Sequence, residues 1–425
     1  MFCGAAACLQ LASCSSPQSR EDYAWLKNAI DVSATQLKNT ANEVGDSLLL
    51  PRSIWTGYEM DFLCSQLERD PATFKDSLRV KPINAALGTR RYSASIYDWV
   101  SGFYPGVLWY LYEENGNEEW KALADKFTSR LKAVQHVTTN HDVGFMLYCS
   151  YGNGFRLTGR DDYRQVLLTG AKSLSTRYNP LIKSLRSWDF TRNGLWQFPV
   201  IIDNMMNLEL LMFAAKESGD SRFSEIAEEH ARTTMKNHYR DDFSSYHVVS
   251  YDTISGLPHL KMTHQGYSDE SSWARGQSWG LYGYVMMFRE TGNEVYLRQA
   301  KHIADYLMRH PNMPSDKIPY WDYNVPDIPD TYRDVSAAAI MASALIELSS
   351  LDESPAASSY LDFAREQLIT LSSDEYLAEE GSNGGFILKH GVGFLPGNSE
   401  IDVPLSYADY YYVEALVRMN RLLVK

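Results

Sequence analysis

The 425-residue chain is poor in cysteine: it has only five, and three of them lie within the first fourteen residues. Cys64 and Cys149, the other two, are too few for a disulfide framework, and their apolar neighbours predict buried, inert thiols. Beyond the N-terminus, no apolar run approaches the ~20 residues that span a bilayer. The sequence also lacks CxxC and HxxxH spacings and the glycine-rich phosphate and dinucleotide loops. We therefore expect neither a metal nor a cofactor.

Positive charge is also scarce, because 40 Lys and Arg face 53 Asp and Glu for a net charge of -13. A basic footprint is what nucleic-acid binding requires, so the composition argues against that class. With 44% apolar and 13% aromatic residues, the chain can bury a large core and is typical of a globular protein. An anionic substrate would have to be met by a local pocket rich in hydrogen-bond donors.

The N-terminal stretch MFCGAAACLQLASC is a short apolar run whose end, Leu-Ala-Ser-Cys, is similar to a bacterial lipobox. This resemblance implies cleavage before Cys14 and lipid modification of its thiol, although no Lys or Arg precedes the apolar run. We expect residues 1–21 to be a lipoprotein-type signal with a short tether. The expected location is the bacterial cell envelope, on the periplasmic side, with membrane contact only through the Cys14 anchor.

Helical apolar periodicity recurs in pairs along the rest of the chain. In each pair, one segment is rich in aromatic and small residues and its partner carries more charge. The turns within pairs contain Gly, Asn or Asp, as in ENGNEEW, LTGRDDY and ESGDSRF, which is typical of a helix stop followed by a restart. The pairs are 98–113 with 117–136, 142–157 with 161–178, 203–217 with 220–238, 273–291 with 294–310, and 334–350 with 357–372; segment 407–423 can pair with 22–43.

Six helical hairpins that use both chain ends to complete the last pair predict a closed all-α fold, an (α/α)6 barrel. The apolar segments suit an inner ring and the more charged segments an outer ring with one wet face. Segments 244–256 and 384–393 read as short β-hairpin decorations. Because no composition break suggests a linker, we expect residues 22–425 to form a single catalytic domain.

Two aspartates stand at the expected starts of neighbouring inner helices. Asp142 opens the second inner helix and Asp203, after the apolar run WQFPVII, opens the third. Asp is a preferred N-cap, so capping is the simplest interpretation of each. Helices of one ring would place both acids in a shared cavity, where burial and mutual repulsion raise a carboxyl pKa. Such a pair can keep one proton for acid–base work on a sugar. Asp334, at the fifth inner helix, we interpret as a cap.

The stretch from Met262 to Tyr284 is dense in donors and rings. Arg275 offers a planar fork for a carboxylate or sulfate, and Trp279 lies four residues later, on the same helix face. A lone histidine such as His247 is more often structural than functional, and the tryptophans could simply pack in the core. The candidate binding residues at this end of the barrel are Trp99, Trp188, His247, His264, Gln265, Trp273, Arg275 and Trp279.

Taken in order, the motifs NHDVGFM, IIDNMMN, THQG…SSWARGQSWGLYGY and RDVSAAAI resemble glycoside hydrolase family 88, the unsaturated glucuronyl hydrolases, over roughly residues 25–425. The resemblance implies an (α/α)6 barrel and a substrate with a 4,5-unsaturated uronic acid at its non-reducing end, left by a polysaccharide lyase. It also implies hydration of the C4=C5 double bond, followed by collapse of the glycosidic bond. The distance rule that separates retaining from inverting glycosidases then does not apply.

Carried over by motif, the resemblance implies that Asp203 is the general acid and base and that Asp142 is the second essential acid. It implies substrate binding by His247, His264, Gln265 and Arg275 and an aromatic lining of Trp99, Trp188, Trp273 and Trp279. The expected partner is an unsaturated oligosaccharide derived from chondroitin, hyaluronan or heparin. Two alternatives remain open: a hydrolase of pectin-derived unsaturated galacturonyl or rhamnogalacturonyl fragments, similar to family 105, and a non-catalytic glycan-binding lipoprotein.

Overall fold

Twelve helices dominate the computed structural model, which describes residues 23–55, 81–84, 88–93 and 95–424. The predicted lipobox with Cys14, and Cys64, lie outside these residues. The helices in the described part are α1 Ala24–Val44, α2 Phe103–Asn115, α3 Glu118–Ser129, α4 at 143–158, α5 Asp161–Ser175, α6 Leu208–Ser218, α7 Ser221–Asn237, α8 Ala274–Thr291, α9 Glu294–Arg309, α10 Val335–Leu351, α11 Ala357–Leu371 and α12 Ser406–Val424. Helix α4 is not uniform, because Tyr148–Gly152 forms a π-helical turn between its two α-helical parts.

The helices are arranged as the predicted (α/α)6 barrel. The inner ring runs α2, α4, α6, α8, α10, α12, and α12 packs back on α2 to close it. Each inner helix carries an outer partner, and the N-terminal α1 packs against α12, so the two chain ends complete one hairpin. A buried apolar cluster extends from Leu26 in α1 to Met419 in α12. No helix in the described ranges is both long enough and apolar enough to cross a membrane.

Four hairpin turns are built from the same local signal. The inner helices α2, α4, α6 and α8 each end at a glycine with positive φ, namely Gly116, Gly159, Gly219 and Gly292, a conformation that costs glycine little. The next residue starts the outer helix, and the side chains of Asn117, Asp220 and Asn293 accept a backbone N–H there. These turns lie at one end of the barrel, so the longer connections gather at the other end.

Short strands decorate that second end. A three-stranded antiparallel sheet has the order β6 (Phe198–Ile201), β7 (Val248–Tyr251), β8 (Pro258–Met262). A second pair is formed by β9 (Gly391–Phe394) and β10 (Ser399–Val403). Segment 244–256 was thus a correct prediction in part, as the middle strand. Segment 384–393 was also correct in part: Leu388 forms an isolated antiparallel bridge with Leu377 and the segment ends in β9, but Asn383–Gly385 is a 3₁₀ turn.

The remaining strands are β1 (Leu50–Trp55), β2 (Lys81–Asn84) and β3 (Gly88–Ser93), which form a sheet in the order β1-β3-β2, and the two-residue pair β4 (Tyr178–Asn179) with β5 (Ser184–Leu185). The sequence patterns did not predict them. Cys149 is a free, buried thiol in the π-helical turn of α4, as predicted. Burial raises the pKa of this thiol, which keeps it inert.

Candidate active site

Asp203 reaches its position through a buried strand. All four residues of β6 are buried, and the strand runs directly into the 3₁₀ turn Ile202–Asn207. Asp203 is therefore only 8% exposed, and its Oδ2 atom accepts no hydrogen bond from the described residues. Burial raises the pKa of Asp203 to about 7, while the charge of Arg275 acts in the opposite direction. A carboxyl group in this setting can carry a proton near neutral pH.

The ring of His247 is fixed in one tautomer beside this acid. Its Nδ1 atom accepts the backbone N–H groups of His264 and Gln265, each at 3.1 Å. The neutral ring must then carry its proton on Nε2. Nε2 lies 3.7 Å from Oδ2 of Asp203 and has no hydrogen-bond partner in the described part of the chain. Since burial holds the pKa of His247 well below its usual value, the ring is a neutral donor directed at the acid.

Asp142 occupies the N-cap position of α4, but the prediction that its carboxylate caps the helix is wrong. The side chain accepts no capping hydrogen bond. Asn207, at the end of the Asp203 turn, supplies the acceptor instead, because its Oδ1 receives the N–H of Phe145 at 2.9 Å. Its Nδ2 also lies 3.4 Å from Oδ1 of Asp142. Asn207 thus joins the two turns that carry the acids and leaves Asp142 free to face the site.

Electrostatic repulsion between the two carboxyl groups raises the pKa of Asp142. Burial, and then the charge of Asp203, raise the pKa of Asp142 to about 8. His141 Nε2 lies 3.2 Å from Oδ1 of Asp142, and burial lowers the pKa of this histidine to about 3. His141 is therefore neutral and does not supply a countercharge. A buried carboxyl pair without a full cation between its members retains a proton at neutral pH.

The Arg275 guanidinium is held by groups of the protein itself, which the sequence did not predict, and its contact with substrate stays a prediction. Its side chain is 1% exposed and forms an ion pair with Asp334 at 3.1 Å. Nη1 also donates to the carbonyl of Val392 and Nη2 to that of Gly393, both at 2.5 Å. A buried arginine keeps its charge only where such partners replace water. Arg275 therefore holds β9 against α8, and its charge acts on Asp203 through space.

Asp334 serves as the cap that we predicted for α10. Its Oδ1 accepts the backbone N–H of Ser336 at 3.0 Å, and its Oδ2 pairs with Arg275. The same Oδ1 lies 3.4 Å from the N–H of Val392 in β9. The carboxylate is fully buried and fully used, so it is not a third free acid.

Aromatic residues from four elements surround the acids. Trp273 stacks near His247 with ring centroids 4.6 Å apart, and Trp188 meets the same histidine edge-on at 5.9 Å. Trp279 is fully buried against Phe145, and its indole N–H lies near enough to Asp203 to lower the pKa of that acid, although the geometry is not that of a hydrogen bond. Trp99 is half-buried at the mouth. The predicted aromatic residues are thus brought together, and their contact with substrate stays a prediction.

His264 and Gln265 lie between His247 and β9. The His264 ring lies 4.9 Å from that of Phe394, and Gln265 Nε2 donates to the carbonyl of Gly393 at 3.3 Å. Both side chains are half-buried, with one side toward the cavity and the other toward β9. Their contact with substrate stays a prediction.

Three residues at the site were not predicted from the sequence. His141 and Asn207 stand inside quoted motifs, the first next to Asp142 and the second four residues after Asp203, so spacing alone could have singled them out. Tyr407, at the start of α12, had no such signal. Its hydroxyl has no partner among the described residues, and its ring lies 4.9 Å from that of Trp99 and 5.2 Å from the Arg275 guanidinium.

A separate cavity of about 480 Å³ opens at the opposite end of the barrel. An aromatic layer that includes Phe145 and Tyr411 separates it from the acids. Its arginines are paired: Arg289 with Glu209 and Glu347, and Arg418 with Glu347 and Glu414. We assign the active site to the Asp142–Asp203 end, because there the buried polar atoms of Asp203, His247 and Trp279 are not satisfied by the protein.

Comparison with known proteins identifies the family of the chain. A family model described only as a domain of unknown function matches residues 1–69. The chain is 48% identical over 329 residues to the unsaturated glucuronyl hydrolase of Formosa agariphila, covering 77% of this chain and 81% of that protein. It is 32% identical over 372 residues to the unsaturated chondroitin disaccharide hydrolase of Streptococcus pneumoniae, covering 86% and 92%.

Solved structures agree with the sequence relatives. The crystal structure of an unsaturated glucuronyl hydrolase specific for heparin aligns with a TM-score of 0.84 and 46% identity, over 94% of this chain and 98% of that one. The barrel, the order of the motifs and the long alignments lead to the same conclusion. The chain belongs to the unsaturated glucuronyl hydrolases, glycoside hydrolase family 88.

Proposed function

We propose that this hydrolase removes the 4,5-unsaturated uronic acid from the non-reducing end of lyase-generated glycosaminoglycan oligosaccharides. The observation that carries the proposal is the pair of buried acids, Asp142 and Asp203, with raised pKa values at adjacent inner-helix starts. Hydration of an enol ether needs an acid that is protonated near neutral pH and a base that takes a proton from water. The same carboxyl group can perform both steps in sequence.

In the proposed reaction, protonated Asp203 gives its proton to C4, and the C4=C5 pair of electrons forms the new C–H bond. The carboxylate that remains takes a proton from a water molecule as its oxygen bonds to C5. The product is a hemiketal at C5, which opens to a ketone and leaves the ring oxygen as a hydroxyl on C1. That hemiacetal then collapses to an aldehyde and releases the second sugar. One water molecule is consumed, and Asp203 ends protonated.

The neighbours of Asp203 have supporting roles in this proposal. The Nε2–H of His247, 3.7 Å from Asp203 Oδ2, is placed to hold a water molecule or substrate oxygen beside the acid. Asp142, whose own pKa burial and the charge of Asp203 raise to about 8, is the second carboxyl group of the pair; it shares protons with Asp203 and positions the substrate. The tryptophans bind the faces of the sugar rings. Arg275 acts on Asp203 through its positive charge, and it fixes the position of β9.

The names of the relatives point to two substrate classes, heparin and chondroitin fragments. The hydrolase of known structure that is specific for heparin shares 46% identity with this chain, and the chondroitin disaccharide hydrolase of Streptococcus pneumoniae shares 32%. We therefore propose heparin-derived unsaturated disaccharides as the first substrates to test. The pectin-directed and non-catalytic alternatives make different predictions for the same assay.

We expect the purified protein to abolish the ultraviolet absorbance of the alkene in unsaturated heparin, chondroitin or hyaluronan disaccharides. The control is the Asp203→Asn variant on the same panel, which separates catalysis from contamination. Loss of absorbance only with pectin-derived unsaturated disaccharides would support the family 105-like alternative. Binding of the disaccharides without any loss of absorbance would support the non-catalytic alternative and refute the proposal.

We also propose that the chain is a lipoprotein of the bacterial envelope, anchored through Cys14. The apolar run that ends in Leu-Ala-Ser-Cys supports this. Globomycin, which blocks lipoprotein signal peptidase, should cause a larger precursor to accumulate on a blot. The Cys14→Ser variant should show the precursor without the drug. Normal processing of the chain in the presence of globomycin would contradict the anchor.

A further inference from the structure

A strained loop overhangs the mouth of the active site. Residues 189–196 lead into β6 and so into the turn of Asp203. Within the loop, Arg192, Asn193 and Gly194 all have positive φ, at 45°, 57° and 83°, and the first two are not glycine. Such backbone is uncommon and costs free energy. The loop is closed by the N–H of Trp196, which donates to the Thr191 carbonyl at 2.9 Å.

Aromatic contacts connect this loop to His247. The ring of Phe190, which is 50% exposed, stacks on Trp188 at 5.0 Å with an interplanar angle of 22°. Trp188 stacks in turn on Trp196 at 5.3 Å, and its edge meets His247 at 5.9 Å. Phe190 and Trp188 therefore extend the apolar lining outward from His247 by one ring.

Arg192 is a cation at this mouth without an acidic partner. Its Nη1 donates to the Thr263 carbonyl at 3.1 Å, and its guanidinium lies 5.5 Å from the Trp196 ring. No carboxylate of the described residues lies within ion-pair distance, although the chain carries a net charge of -13. The side chain is exposed. Its charge nevertheless reaches the site, because burial and then Arg192 lower the pKa of His264 to about 4.

We propose that Arg192 binds a sulfate ester on the second sugar of the substrate, while Phe190 and Trp188 support the face of that sugar. This inference rests on the proposed function, and it names the feature by which the enzyme selects its substrate. A guanidinium fork donates two charge-assisted hydrogen bonds to a sulfate. Thr263 orients the fork through Nη1, and the strained loop fixes where it stands. Arg275 is 1% exposed and paired with Asp334, so Arg192 is the more accessible of the two cations.

The test compares one sulfated and one unsulfated unsaturated disaccharide of the same linkage, with the full-length wild type and Arg192→Gln. We expect the ratio of kcat/KM values, sulfated over unsulfated, to fall about 10-fold or more in R192Q, chiefly through KM. Arg192→Lys keeps the positive charge but not the planar guanidinium, so its ratio of kcat/KM values should lie between those of wild type and R192Q. Arg222→Gln, at an exposed ion pair with Asp220 on the outer helix α7, is the matched control and should keep the wild-type ratio.

An unchanged ratio in R192Q overturns the proposal. So does a loss confined to unsulfated tetrasaccharides, because Arg192 would then bind the carboxylate of the next uronate. If the wild type turns over none of these substrates, the proposed function fails; binding of the sulfated disaccharide, measured by calorimetry on wild type and R192Q, then decides the Arg192 question alone. A melting temperature within 2 °C of wild type, about 1 kcal/mol or less, excludes misfolding as the cause.

Discussion

Replacing Asp203 with Asn should lower kcat for unsaturated disaccharides roughly a thousandfold, while the dissociation constant changes by only a few-fold. Asn has nearly the shape of a protonated Asp, so the 3₁₀ turn and the cavity are preserved. It can neither give a proton to C4 nor take one from water, so both proton transfers are lost together. Single-turnover absorbance measures the first quantity, and calorimetry with the disaccharide measures the second.

Asp409 provides a matched control for this variant. It is also buried, at 2% exposure, and burial raises its pKa to about 7 as well. Its oxygens accept the backbone N–H groups of Ile387 and Leu388 at 3.0 and 2.9 Å, so they hold a loop and do not face the cavity. Asp409→Asn should lower the melting temperature, because one N–H then meets an amide NH₂, yet kcat should stay within a few-fold. Equal losses of kcat in the two variants would refute a chemical role for Asp203.

The parts of this fold that local signals specify were predictable. A glycine with positive φ followed by a capping residue, as at Gly116 with Asn117 or Gly219 with Asp220, needs only neighbours in sequence. So does the apolar period that distinguishes inner from outer helices. With the helix count known, the barrel places all inner-helix starts at one end. For this reason the sequence alone could predict that Asp142 and Asp203 share a cavity.

The rest depends on partners that are distant in sequence. Strand β6 forms because Ile201 meets Val248, and no window of the sequence contains both. The Val392 and Gly393 carbonyls that hold the Arg275 guanidinium lie 117 and 118 residues away, so local patterns could not predict this contact. The cap of α4 was assigned to Asp142 because capping rules consider only local residues, whereas Asn207 acts from 62 residues away.

The second large effect on activity is expected at Asp142, whose side chain does not cap α4. Asp142→Asn should reduce kcat/KM about a hundredfold, because catalysis loses the second titratable carboxyl group, which shares protons with Asp203 and positions the substrate. It should not weaken α4, since Asn207 accepts the Phe145 N–H whether or not Asp142 is present. Asn207→Ala should instead affect stability: it removes the acceptor for the Phe145 N–H and should cost about 1 kcal/mol of folding free energy. Activity should also fall, because Asp142 loses its contact with the Asn207 side chain.

The stability of Asp142→Asn should also depend on pH in a defined direction. Burial raises the pKa of Asp142 to about 8 in the folded state, against about 3.9 in an unfolded chain. Between these values the folded protein binds a proton that the unfolded chain does not, so the carboxyl group destabilises wild type increasingly as pH rises through that window. Asn does not titrate. The variant should therefore melt with wild type near pH 4 and melt a few degrees higher at pH 8. A lower melting temperature at pH 8, with activity retained, would return Asp142 to the role of a helix cap.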